Sequence, residues 1–318
     1  MIKEKENKYL PEGMLIGKYE NTEYLSSVQG LERAMLQGRI LEGTAVLCDS
    51  ALTLTVDLGN GIKGLMHREE VTYSPAGESV KDIAIISRVG KPICFKVVSI
   101  GSDENGVPFA VLSRRLAQIE CVNNYLMGLT SGDIIPARIT HLEHFGAFVD
   151  IGCGIPSLLS IDCISVSRIS HPKDRFYVGM QIKTVVKSID REQMRIYVTH
   201  KELLGTWEEN AASFKMGQTV MGVVRSVEQY GIFIELSPNL AGLAEYREGI
   251  TVGQSVAIYI KNIIPERMKI KLVIIDACKG EQCRGKMEYF VSPEREHMDY
   301  WRYSPLGTPK IIESHFSA

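Results

Sequence analysis

Two short segments carry the residues most able to do chemistry. Phe145-Gly-Ala-Phe148 and Tyr230-Gly-Ile-Phe233 each place two aromatic rings three positions apart, with a glycine directly after the first ring. Every nucleobase offers a π-face, so a pair of exposed rings can hold a single strand without reading its sequence. In a regular strand, residues three apart point to opposite faces, and the glycine is what would allow a bulge or sharp bend to bring both rings to one surface. The competing reading is that the rings are core, because buried aromatics dominate small barrels. His141 and His144 precede the first pair and could stack or hydrogen-bond, although an isolated histidine is more often structural.

Catalytic constellations are missing from the pattern. No nucleophile elbow, phosphate-binding glycine loop or HExxH helix occurs, and Asp150 and Glu235 follow the aromatic segments without an obvious partner. Cys278 and Cys283 with His297 have loose spacing for zinc and no second tight pair, so free thiols are expected there. A non-catalytic binding protein needing no cofactor or metal is therefore expected.

The elements that must position these rings repeat three times. A glycine and a β-rich run open each unit at Gly38-Arg-Ile-Leu-Glu-Gly43, Gly132-Asp-Ile-Ile-Pro-Ala137 and Gly217-Gln-Thr-Val-Met-Gly222. The ring-bearing segments come second, with Leu52 to Gly59 as their counterpart in the first unit. A short third element follows at Gly64–His67, Ser157–Ser160 and Gly242–Glu245. Val-Gly then introduces a fourth at Val89, Val178 and Val252, and Pro108–Ser113, Met194–Thr199 and Met268–Val273 close the units. Alternation of apolar and polar residues marks these as half-buried strands. Five short strands in about 70 residues leave exposed edges unless the sheet closes. The expected fold is thus all-β: three tandem five-stranded OB barrels at 38–115, 130–200 and 214–276. Short helices are expected at 116–129 and 201–213, with Leu116, Ile119 and Val122 as the apolar side of the first. An extension with a helix over about 22–37 precedes them, and a non-periodic aromatic tail, 277–318, is expected to dock on barrel three.

The chain has 318 residues, of which 45% are hydrophobic and 23% charged, the composition of a folded protein. Its net charge of −2 argues against a protein that grips nucleic acid mainly by neutralising phosphates. The barrels agree: Lys+Arg against Asp+Glu is 9 to 9, 8 to 7 and 7 to 6 in order, so stacking must supply much of any RNA affinity. Seven cysteines without CxxC pairing suit reduced thiols and the cytoplasm. No apolar run approaches the ~20 residues of a membrane helix, so no membrane association is expected.

The order Phe145-Gly-Ala-Phe-Val-Asp150, Leu158-Leu-Ser160, Val178-Gly179 and Ile196-Tyr-Val-Thr-His-Lys201 resembles the S-one RNA-binding domain, as do the joints Leu112-Ser-Arg-Arg115 and Thr199-His-Lys-Glu-Leu-Leu204. The resemblance covers about residues 38–276. It implies that Phe145 and Phe148 in barrel two, and Tyr230 and Phe233 in barrel three, form RNA-stacking faces, helped by Arg195 and Lys269; His144, read from its place before the first pair, is added to the expected RNA-binding set. The family's histidine after the third strand is matched by His67 in barrel one but by Ser160 and Glu245 in the others. In barrel one Leu52 and Thr55 stand where the stacking pair belongs. The implied partners are single-stranded RNA or mRNA and the small ribosomal subunit; the alternative is a scaffold whose barrels dock on a ribosome, polymerase or nuclease.

Overall fold

The computed structural model describes residues 8–74, 80–277 and 287–316, which leaves Cys278 and Cys283 outside the described residues. Fifteen strands close into three barrels of five. Barrel one comprises β1 (Leu41–Cys48), β2 (Leu54–Asp57), β3 (Lys63–Met66), β4 (Pro92–Ser102) and β5 (Pro108–Ser113). Barrel two follows with β6 (Ile134–Glu143), β7 (Gly146–Asp150), β8 (Pro156–Ser160), β9 (Gln181–Asp190) and β10 (Arg195–Thr199). Barrel three has β11 (Thr219–Glu228), β12 (Gly231–Ser237), β13 (Leu240–Ala244), β14 (Ser255–Ile264) and β15 (Lys269–Ala277). In each, the first strand pairs with the second and fourth, and the third runs parallel to the fifth. These are three tandem OB folds. The alternation that announced the strands is the alternation of burial: Ile270, Leu272 and Ile274 of β15 face the barrel interior, while Lys269, Lys271 and Val273 face out.

The helical segments differ in detail from their sequence pattern. In place of one helix over 22–37 there are two, α1 (Tyr19–Leu25) and α2 (Val28–Leu36). The break falls at Ser26-Ser27, where the Ser27 hydroxyl accepts from the Gly30 amide at 3.1 Å and caps the second helix. Barrel one carries a further helix, α3 (Asp82–Ile86), between β3 and β4. On α4 (Arg114–Asn124) the buried side is Arg114, Ala117, Gln118 and Cys121 with Val122, and Leu116 is 40% exposed. A buried ion pair, not the apolar stripe, orients this helix, because Arg114 is drawn inward by Glu12. The 201–213 segment is a 3-10 turn, Lys201–Leu204, and α5 (Trp207–Ala211), separated at Gly205, whose φ is +79°.

The chain divides into two compact units. The first holds Met1–Leu129 with two pieces of barrel two, Pro136–Arg138 and Asp150–Pro156, and its core includes Leu31, Leu54, Met66, Ile93, Phe95 and Leu112. The second holds the rest of barrel two, barrel three and the tail. Its core runs from Val185 through Leu203, Trp207, Ile234 and Leu272 to Trp301 and Phe316, so tail side chains share one apolar cluster with both barrels and α5. The tail pairs β16 (Tyr300–Arg302) with β17 (Glu313–His315) and hydrogen-bonds barrel two as well as barrel three. The Ile134 amide donates to Glu296 O at 2.8 Å, the Tyr289 hydroxyl accepts from the Lys183 amide at 3.0 Å, and the Tyr303 hydroxyl donates to Asn239 O at 2.5 Å. Among the described residues no helix is long and apolar enough to cross a membrane.

Candidate nucleic-acid interface

Within each aromatic pair the two rings converge on one surface of their barrel. The Phe145 and Phe148 rings meet edge to face at 6.0 Å and 90°, and Tyr230 and Phe233 do so at 6.1 Å and 85°. Phe145 and Tyr230 are 54% and 71% exposed, and their partners are half-buried. Convergence is possible because the first ring of each pair stands in the turn before its strand, where strict alternation does not hold. The glycine that follows allows the third strand to close in: a Cβ at Gly146 would lie 2.4 Å from Leu159 O, and one at Gly231 2.5 Å from Ala244 O.

Strand register extends the site into a row crossing each barrel. In barrel three, Ser226, Phe233, Leu243, Lys271 and Asn262 are successive cross-strand neighbours on the outer surface. The row in barrel one reads Leu47, Thr55, Leu65, Val111 and Ser99. In barrel two, the Ile161 amide donates to Phe145 O, and counting along that antiparallel pair sets Phe148 opposite Leu158. Leu158 pairs with Tyr197, which pairs with Ser188. Arg195 and Lys269 are exposed, two residues before Tyr197 and Lys271 on the same strand faces.

His141 lies 6.4 Å from the Phe148 ring and pairs with Glu143 at 2.7 Å. His144 instead meets His171 edge to face at 4.6 Å. His171 caps a 3-10 turn, its Nδ1 accepting from the Lys173 amide at 3.1 Å, and burial together with the adjacent His144 lowers its pKa. His67 is exposed at the end of β3, in the barrel that lacks aromatic rings on its row. Ser160 and Glu245 hold the corresponding positions in barrels two and three.

The carboxylates that had no apparent partner are structural. Glu235 is buried between Arg225, at 2.8 Å, and Arg175, at 2.5 Å, and Arg225 also reaches Asp174. Asp150 accepts from the amides of Glu12, Gly152 and Gly154 at 2.7, 2.8 and 3.0 Å. Burial and the nearby Glu12 charge raise its pKa. Burial also opposes ionisation of Glu12, yet the Arg114 guanidinium, bound through Nε at 2.6 Å and Nη2 at 3.1 Å, holds that carboxyl below its usual range. Glu42 is pushed up to about 7 by burial, although its Oε2 accepts from the amides of Gly13, Leu15 and Ile16. Within the first unit the Glu42 bonds tie the segment before α1 to β1 of barrel one, Arg114 ties it to the start of α4, and Asp150 ties it to the end of β7. Sequence reasoning missed them because the partners lie up to 138 residues apart. No group of three or more metal-ligating side chains occurs among the described residues.

Residues 129–201 match the family model of the S1 RNA binding domain. The chain is similar to the small ribosomal subunit protein bS1 of Chlamydia trachomatis, 26% identical over 233 residues, which cover 69% of this chain and 40% of that protein. It is also similar to the small ribosomal subunit protein bS1 homolog of Bacillus subtilis, 28% identical over 221 residues, 67% of this chain and 56% of that one. The chain spans about half the length of the curated relatives it matches. A crystal structure of a multidomain protein with nucleic acid binding domains from Streptococcus pneumoniae aligns over 75% of this chain and 73% of its own, with 14% identity and a TM-score of 0.25. The resemblance read from the Phe145 segment is therefore carried by the family model over barrel two, and the similarity to bS1 takes in about two thirds of the chain.

Proposed function

We propose that this protein binds single-stranded RNA with little sequence preference by stacking bases on Phe145 and Phe148 in barrel two and on Tyr230 and Phe233 in barrel three. One observation carries the reading: in both barrels an exposed ring and a half-buried ring meet edge to face, on a barrel whose fifth strand carries exposed Arg195 or Lys269. A core role would have buried the first ring of each pair. Stacking contributes roughly 1–3 kcal/mol per base, enough for two barrels to hold a strand without a strongly basic surface. The names of the bS1 relatives support a translational setting in the cytoplasm, on mRNA or the small ribosomal subunit.

A second reading applies to barrel one, whose row is aliphatic where the others are aromatic. That barrel suits contact with a protein better than contact with RNA, and His67 alone supplies no stacking face there. Titration of labelled oligouridylate into the full chain separates the two. Tight binding that is lost when Phe145, Phe148, Tyr230 and Phe233 are all changed to Ala supports RNA binding, and absence of binding by the unaltered chain leaves only the scaffold.

A further inference from the structure

Tyr197 and Lys271 occupy one position of the barrel plan, the outward residue of the fifth strand next to the third. Register fixes this: Leu158 pairs with Tyr197 as Leu243 pairs with Lys271, and the following pairs, Leu159 with Val198 and Ala244 with Leu272, point inward and are buried. Neighbouring strands stand about 4.8 Å apart, so this position lies two strands, about 10 Å, from the second ring of each aromatic pair. The intervening floor is a leucine in both barrels. Tyr197 is half-buried, with its ring on the outer surface two residues after exposed Arg195, and exposed Lys271 likewise follows Lys269.

We infer that Tyr197 is a third base-stacking ring of barrel two and that Lys271 is a second phosphate-binding cation of barrel three. The inference rests on the RNA reading above and divides the labour within it. Barrel two then holds RNA through three rings and one cation, Phe145, Phe148, Tyr197 and Arg195. Barrel three uses two rings and two cations, Tyr230, Phe233, Lys269 and Lys271. The rows end in neutral polar groups, Ser188 and Asn262, that can hydrogen-bond a base edge or the ribose 2′-hydroxyl. Both barrels have near-neutral charge, so a single substituted position shifts the balance between stacking and counterion release. Affinity for barrel two is accordingly the less sensitive to salt.

The test uses the full chain and oligouridylate, silencing one barrel at a time. With Tyr230 and Phe233 changed to Ala, Tyr197→Leu is expected to weaken binding by roughly 5- to 150-fold at every salt concentration, the equivalent of one lost stack, while Tyr197→Phe binds as before. With Phe145 and Phe148 changed to Ala, Lys271→Gln is expected to make the slope of log affinity against log salt shallower by about 0.7, and Tyr197→Leu to have no effect. A Tyr197→Leu change without effect in the first background, where Phe148→Ala still weakens binding, overturns the inference and leaves RNA binding standing. Loss of neither aromatic pair changing affinity overturns the RNA reading itself. Should Tyr197→Leu unfold, the tyrosine ring resonance absent from Tyr197→Phe reports instead: an upfield shift on adding oligouridylate supports stacking, and an unmoved resonance overturns it.

Discussion

Barrels one and three share strand order and register but present opposite surfaces. Along the same cross-strand row barrel three shows Ser226, Phe233, Leu243, Lys271 and Asn262, and barrel one shows Leu47, Thr55, Leu65, Val111 and Ser99. Only the leucine of the third strand is common to both. The ring before the second strand, Tyr230, is matched by Leu52, a left-handed residue in the turn that Asp49 closes. Their support differs as well. Barrel one is bound to the preceding segment by buried carboxylates, and barrel three is covered by an aromatic tail. The fold thus constrains the inward positions and leaves the outward row free to be rewritten.

The largest effect expected is one of stability. Arg114→Leu leaves Glu12 buried without its bidentate partner and should destabilise the chain by about 3–5 kcal/mol in denaturant unfolding, with oligouridylate affinity of the folded protein unchanged. A parallel loss of affinity would break the proposed division between a structural barrel one and an RNA-binding barrel three.

The pH dependence is next. Glu42 holds its proton up to about pH 7 in the folded chain against 4.5 when unfolded, so the folded state binds the extra proton between those values. Its contribution to stability is full below pH 4.5 and is lost as pH rises towards 7, at no more than about 1.4 kcal/mol per pH unit. Asp150 acts in the same direction, and Glu12, whose pKa is lowered, is already ionised in both states above pH 5. Buried His200, whose pKa burial lowers to about 4, acts in the opposite direction over the same range, so the check is a difference: Glu42→Gln should gain melting temperature relative to the unaltered chain as pH rises from 5 to 7.

Changing Tyr230 and Phe233 to Ala should weaken RNA binding by ~1–3 kcal/mol per lost stack with little change in melting temperature. A collapse of the melting transition would identify the rings as core. The converse change sharpens the comparison: Leu52→Tyr with Thr55→Phe should give barrel one about 1 kcal/mol of affinity, measured with the other two aromatic pairs removed. The smallest effect is Lys269→Ala, which should make the salt slope shallower by about 0.7.

The three barrels were legible in the sequence because each strand announces itself locally, through alternation and an opening glycine. The aromatic pairs were legible too, but Gly146 and Gly231, read as a bend that would bring the rings together, instead mark where the third strand approaches closely. Tyr197 and Lys271 were not, because only the register between the third and fifth strands, which are far apart in sequence, assigns them to the row. The buried face of α4 misled for a related reason: an arginine at a helix start reads as solvated until Glu12, 102 residues away, is known to meet it. Asp150 and Glu235 read as unpartnered for the same cause.

The tail also bears on the order in which the molecule can be made. Asp133 at the start of barrel two bonds His297 at 2.7 Å across 164 residues, and Gly132 is so tightly covered that a Cβ there would lie 2.3 Å from Met298 O. Contacts this distant close late, since the intervening chain must first be ordered. During synthesis, barrels two and three therefore assemble with a row of apolar positions still uncovered, and they reach their final packing only after residues 287–316 have emerged. Truncation within that segment should accordingly show itself first as aggregation of newly made chains.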